Sequence, residues 1–160
     1  MRAAARTVPG MLDFALRFDP LTRTCDLAVE GGDIALDATP ATAMLAALGS
    51  DRRARPDDTL PDEPRPAPDV VTILGRRRGW PGDALDAAGR VAGCRLWLLA
   101  RAKQTEETRM LAIAHAEAAL AEALPGIACT VEAAWIARNL LGMRVVAGGA
   151  VIELRQAVGQ

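Results

Sequence analysis

The sequence predicts an α+β domain in which strands, then helices, then strands follow one another without the regular alternation of a parallel sheet. Three observations carry this. Period-two alternation opens the chain between Leu12 and Leu36, the middle carries helical spacing with start and stop signals, and period-two alternation returns after Cys129.

Leu12, Phe14, Leu16 and Phe18 fall on one face of an opening strand, with Asp13, Arg17 and Asp19 on the other, so a half-buried strand is expected. A turn through Asp19, Pro20, Leu21 and Thr22 precedes Cys25, Leu27 and Val29. Gly31 and Gly32 then lead to Ile34 and Leu36. These runs predict an antiparallel hairpin or meander, and no internal repeat is evident.

Thr39 and Pro40 have the form of an N-cap and first helical residue, followed by Ala41, Met44, Leu45 and Leu48 on one face and Gly49 as a stop. Five of the ten prolines lie between Pro56 and Pro68, and residues 54–75 read as an extended Pro-rich loop. The segment PGDALDAAGR offers one helical turn, and the apolar density of RLWLLARAK predicts a helix buried on most sides. Gln104 to Glu107 resemble a fresh helix start, with Met110, Ile113, Leu120 and Leu124 as its stripe, alanines on its flanks and Pro125–Gly126 as its end. Cys129, Val131, Ala133 and Trp135, then Leu141, Met143 and Val145, then Ile152 and Leu154 predict a three-stranded antiparallel meander. Gly148 and Gly149 form its tight turn.

With 160 residues and 51% hydrophobic content, the chain fits one domain over 1–160, with 1–10 read as a flexible N-terminal segment. The formal charge of −1 leaves no global field to attract nucleic acid or anionic lipid, and neither is expected as a partner. No apolar run reaches signal-peptide or membrane-spanning length, so the chain is expected to stay in the cytoplasm where it is made. Cys25, Cys94 and Cys129 lie far apart without a CxxC pair, and read as buried free thiols.

Two arginine-rich cassettes stand out: SDRRARPDDTLPD, from Ser50 to Asp62, and RRRGWPGDALDAAGRVAGCRLWLLARAK, from Arg76 to Lys103. Eighteen of the 19 basic residues are Arg, and abundant Ala beside them marks part of this as codon bias. Arg offers a planar donor fork and Trp a rigid face, so their grouping suggests a surface that holds another protein. The expected interface comprises Arg52, Arg53, Asp57, Asp58, Arg77, Arg78, Trp80, Asp83 and Arg95, with Trp80 as the aromatic anchor. Trp97 and Trp135, in apolar contexts, are expected in the core. An internal network pinning the loop to its own domain is the competing reading of the same arginines and carboxylates.

His115, Ala116 and Glu117 spell the H-x-E of zinc deaminases, but the P-C-x-x-C partner is missing and a solvent-facing His on an amphipathic helix is expected instead. Asp57, Asp58, Asp62, Glu63 and Asp69 sit in a solvated Pro-rich stretch, which by itself does not raise a carboxyl pKa or fix two carboxylates at a working distance. Walker, GxSxG, HExxH and dinucleotide fingerprints are absent, and neither a catalytic residue, a cofactor nor a metal is predicted.

Taken in order, DLAVEGGDIAL, SDRRARPDDTLPD, RRGWPGD and GCRLWLLARAKQT resemble successive blocks of the Mu-like phage baseplate protein family, over about Met11 to Arg155. Asp51, Arg52, Arg53 and Ala54, then Asp57, Asp58 and Asp62, match the first arginine block. Arg77, Arg78, Gly79, Trp80, Gly82 and Asp83, then Gly93, Arg95 to Leu99, Arg101 and Lys103, match the later ones. Arg76 stands where an acid is expected and Pro81 where a second tryptophan is expected.

The resemblance implies a non-enzymatic wedge subunit of a contractile tail baseplate, present in six symmetry-related positions and assembled in the host cytoplasm. Its implied partners are the larger wedge protein and hub or sheath proteins. Two rivals accompany it: a tail-associated peptidoglycan hydrolase, from the lysozyme-like label of related wedge proteins, and an assembly chaperone absent from the finished particle.

Overall fold

The computed structural model describes residues 12–19, 22, 24–61 and 75–159. The N-terminal segment 1–10 and most of the Pro-rich loop, at 62–74, lie outside the described residues, as do the side chains of Phe18, Asp19 and Cys25. The architecture is α+β, ending in an antiparallel three-stranded sheet.

The opening strands differ from a plain meander. Six short strands, β1 (Asp13–Phe14), β2 (Leu16–Asp19), β3 (Thr24–Leu27), β4 (Val29–Glu30), β5 (Asp33–Ile34) and β6 (Leu36–Asp37), form three separate antiparallel pairs: β1 with β6, β2 with β3 and β4 with β5. They meet at three alanines as a three-armed rosette. Ala15 N–H donates to Ala35 O, Ala28 N–H to Ala15 O and Ala35 N–H to Ala28 O, each at 2.8 Å, closing a ring of backbone hydrogen bonds. The flanking apolar residues are exposed rather than half-buried: Leu12 is 67% accessible, Phe14 52% and Leu16 43%. A short internal repeat underlies this, in DFAL (13–16), DLAV (26–29) and DIAL (33–36), correcting the reading that the chain has none.

Helix α1 (Ala41–Gly49) starts one residue later than its cap signal suggests, with Pro40 at the cap position and Thr39 Oγ1 accepting from Ala41 N–H at 3.4 Å. Met44 and Ala47 are its buried positions, whereas Leu45 is on the solvent side. Both apolar segments of the second cassette are 3-10 turns, Pro81–Leu85 and Leu96–Arg101, and the latter buries Leu96, Trp97 and Leu99. Helix α2 (Glu106–Ala123) is capped by Thr105, whose Oγ1 accepts from Thr108 N–H at 3.1 Å, while Thr108 Oγ1 donates to Lys103 O at 2.7 Å. Glu106 and Glu107 complement the dipole of its first turn.

The buried residues of α2 are Thr108, Ala112, Ala116, Ala119 and Leu120; of the expected stripe Leu120 and Leu124 are buried and Ile113 packs against the core, whereas Met110 is 51% exposed. Residues four apart share a helix face, and the run 108, 112, 116, 120 selects the alanine row because short side chains let α2 lie close to its neighbours. Helix α2 packs against β7 (Cys129–Ala137) and α1, and α1 reaches β9 (Ala150–Ala157). Strand β8 (Leu140–Ala147) is the centre of the sheet, and buries Leu141, Met143, Val145 and Ala147 beneath the helices. Gly148 and Gly149, with φ of 54° and 88°, make the tight β8–β9 turn expected from the sequence. Met44, Leu120, Leu141, Val145 and Val158 are wholly buried and define the core. No helix among the described residues is long and apolar enough to cross a membrane.

Candidate functional site

The two cassettes fold onto each other through their backbones. Asp51 and Cys94 form a parallel bridge, in which Arg52 N–H donates to Cys94 O at 3.0 Å and Cys94 N–H donates to Ser50 O at 2.8 Å. Gly93, at φ +91°, makes this approach possible: a Cβ there would lie 2.7 Å from Ser50 O and 2.8 Å from Arg52 N. On the other side Ala54 N–H donates to Arg77 O at 2.9 Å, and Gly79 lies against the Arg53 side chain. Trp97 closes the arrangement from below. Its indole N–H donates to Arg52 O at 2.8 Å, and its ring is buried with Ala54 and Leu60 against Leu98, apart from the main core.

Most of the sequence-predicted interface residues are engaged within this unit. Arg78 pairs with Asp51 at 2.6 Å while its guanidinium lies 4.6 Å from the Trp97 ring centroid. Arg77 donates to the carbonyls of Arg55 and Pro56, which holds the start of the Pro-rich stretch. Asp58 accepts from Arg55 N–H at 2.8 Å and from Arg95 at 3.1 and 3.3 Å, with side chains 18% and 12% exposed. Arg52 reaches Glu122 of α2 at 3.5 Å, and Asp83 accepts from Ala92 N–H at 2.9 Å. The structure brings these residues together as a buttress, the arrangement described by the competing reading of an internal network.

Three predicted residues point outward instead. Arg53 and Asp57 are exposed, and Trp80, 58% accessible, stands over Gly82. Beside Trp80 runs an open groove of about 540 Å³ between the helices, lined by Ala43, Ala47, Val91, Ala119 and Ala123, with Glu122 on its margin. The sequence reading missed this groove because its walls are alanines of two helices remote in sequence. The signal was present as the small residues flanking each apolar stripe.

Electrostatics around Asp58 tie the buttress to α2. Burial would raise the Asp58 pKa, but the Arg55 backbone N–H and the Arg95 guanidinium outweigh it and hold the carboxyl below its usual range. His115 is half-buried rather than solvent-facing. Desolvation and the positive charge of Arg95 lower its pKa and favour the neutral imidazole, with Asp58 opposing them. Cys94 is a buried free thiol whose S–H donates to His115 O at 3.3 Å, and burial pushes its pKa up. Cys129 is free and only half-buried.

The chain is thus an α+β domain whose arginine-braced loop unit carries an exposed tryptophan beside an alanine-lined groove. The model of the phage protein GP46 family matches residues 40–151, which hold both cassettes, and the chain belongs to that family. Among its relatives is the baseplate protein gp46 of Escherichia phage Mu, 40% identical over 95 residues. That match covers 59% of this chain and 57% of the Mu protein, so it spans a little over half the length of the relative.

Proposed function

We propose that the chain is a structural component of a phage tail baseplate: a small, non-enzymatic wedge subunit that binds a larger wedge protein. The observation that carries this reading is the 40% identity to the Mu baseplate protein, together with a family match that contains both arginine cassettes. The division of labour among the arginines supports it. A surface that must keep its shape under load is best fixed from within, and Arg52, Arg77, Arg78 and the Asp58–Arg95 pair fix this one.

The contact itself falls to Trp80, Arg53 and Asp57, with the partner placing an apolar side chain in the adjacent groove. The edges of β7 and β9, which have no strand partner among the described residues, accept a strand from a hub or sheath neighbour. Six copies around the tail axis follow from the resemblance to baseplate wedges.

Mass spectrometry of tails purified from a producing lysate tests the role. The chain is expected among the stoichiometric tail proteins. Its confinement to the free protein fraction would instead favour an assembly chaperone, and carboxylate-dependent clearing of a peptidoglycan suspension by the purified chain would favour a hydrolase.

A further inference from the structure

The groove beside Trp80 carries more charge than its alanine walls suggest. Among the described residues, three carboxylates line it, those of Asp83, Asp86 and Glu122, against the single guanidinium of Arg90. Arg90 is already committed to Asp86, donating to its two oxygens at 2.7 and 3.4 Å. Asp83 accepts from Ala92 N–H, and no cation among the described residues pairs with it. The Glu122 side chain is 38% exposed and meets Arg52 only at 3.5 Å. The hydrogen bond and charge of Asp86, joined by the charge of Glu122, raise the Arg90 pKa against its desolvation, so the field in the groove favours a cation.

Trp80 adds a surface suited to the same charge. A Cβ at Gly82 would fall on the six-membered ring of its indole, so the lack of a side chain at 82 lets that ring lie against the backbone. Trp80 nevertheless stays 58% accessible, and the indole is the side-chain ring that attracts a cation most strongly. In the same unit the Arg78 guanidinium lies over the Trp97 ring, whereas no such cation stands over Trp80 among the described residues.

Lysine and arginine join an apolar stem to a charged head. The stem matches the alanine walls, and the head matches Trp80 and the two carboxylates that Arg90 leaves unanswered. An acidic partner would meet like charge there, and a purely apolar one would strip water from Asp83 and Glu122 without pairing them. We propose that the groove takes a lysine or arginine of another tail protein, its stem along the alanines and its head against Trp80, Asp83 and Glu122. The volume of about 540 Å³ leaves room beside it for the partner's apolar side chain. This rests on the baseplate reading and names the partner's chemistry at that contact.

The test uses the full chain, expressed in the producing phage or device, with Asp83→Asn and Glu122→Gln combined. Asp83→Asn keeps an oxygen for Ala92 N–H, and the purified variant is expected to melt as the unaltered chain does. Its amount in purified tails is expected to fall at least about tenfold. Gly82→Ala retains every charge but displaces the Trp80 ring, and is expected to lower incorporation too. Arg90→Gln removes the groove's own cation and is expected to leave incorporation undiminished. If the neutralised pair is incorporated fully while Trp80→Ala is depleted, the inference is overturned and the assembly contact stands with an apolar occupant alone. Full incorporation of Gly82→Ala would overturn the placing of the cation on Trp80. Depletion by Arg90→Gln and not by the neutralised pair would assign the groove to an anionic partner. A dimer of the unaltered chain that the neutralising changes dissolve, read by light scattering, would assign it to a second copy and overturn the inference. Absence of the unaltered chain from tails would overturn the baseplate reading and this inference with it.

Discussion

The indole N–H of Trp97 donates to the Arg52 carbonyl at 2.8 Å, so the second arginine cassette holds the backbone of the first. Trp97→Phe keeps a ring in the pocket but leaves that carbonyl without its donor, and is expected to lose about 1–3 kcal/mol of stability. Trp97→Ala, which also empties the cluster with Ala54 and Leu60, is expected to lose about 3–5 kcal/mol. Denaturant unfolding of the purified variants measures both.

Gly93→Ala tests the contact between the cassette backbones. Its φ of +91° strains any side chain, and the new Cβ would meet Ser50 O at 2.7 Å, so the loss is expected to exceed about 2 kcal/mol. Gly89→Ala is the control. Gly89 has a similar positive φ of +67° but open space around it, and the expected loss there is only about 1 kcal/mol.

Acid should loosen the buttress in two stages. His115 has a folded pKa below its unfolded value, so its contribution is full above about pH 6.5 and is lost as pH falls through the lowered folded value. Asp58 has a depressed carboxyl pKa, so its contribution is full above about pH 4 and is lost as pH falls further. His115→Gln is expected to flatten the first decline and Asp58→Asn the second, in melting curves recorded from pH 7 to pH 3.

Much of the fold was legible because local chemistry and tertiary packing agreed. The C-terminal meander follows its alternation from Cys129 to Leu154, and the Gly148–Gly149 turn needs no help from the rest of the chain. In α2 the expected Leu120 and Leu124 are buried, but hydrophobicity misled at Met110, where close packing chose Ala112, Ala116 and Ala119 instead. The rosette was missed because its repeat is four residues long at unequal intervals, and alternation alone does not distinguish one meander from three arms meeting at Ala15, Ala28 and Ala35. At the cassettes, residue type marked the right region. It does not separate Arg95, 12% exposed and paired with Asp58, from Arg53, which is exposed, because that difference depends on long-range backbone pairing.

The alanine row makes its own prediction. Ala116 is wholly buried, so Ala116→Leu forces α2 away from its neighbours and is expected to cost about 1–3 kcal/mol, read as a lowered melting temperature.

The central claim is that the cassettes divide into an inner brace and an outer contact. Incorporation into purified tails, measured beside the thermal melting of each purified chain, tests it most directly. Trp80→Ala combined with Arg53→Ala is expected to melt within about 0.5 kcal/mol of the unaltered chain yet to be depleted from tails. Arg95→Ala, which strands the Asp58 carboxylate, is expected to lower the melting temperature. Full incorporation of the Trp80 and Arg53 variant, or its unfolding, would contradict the account.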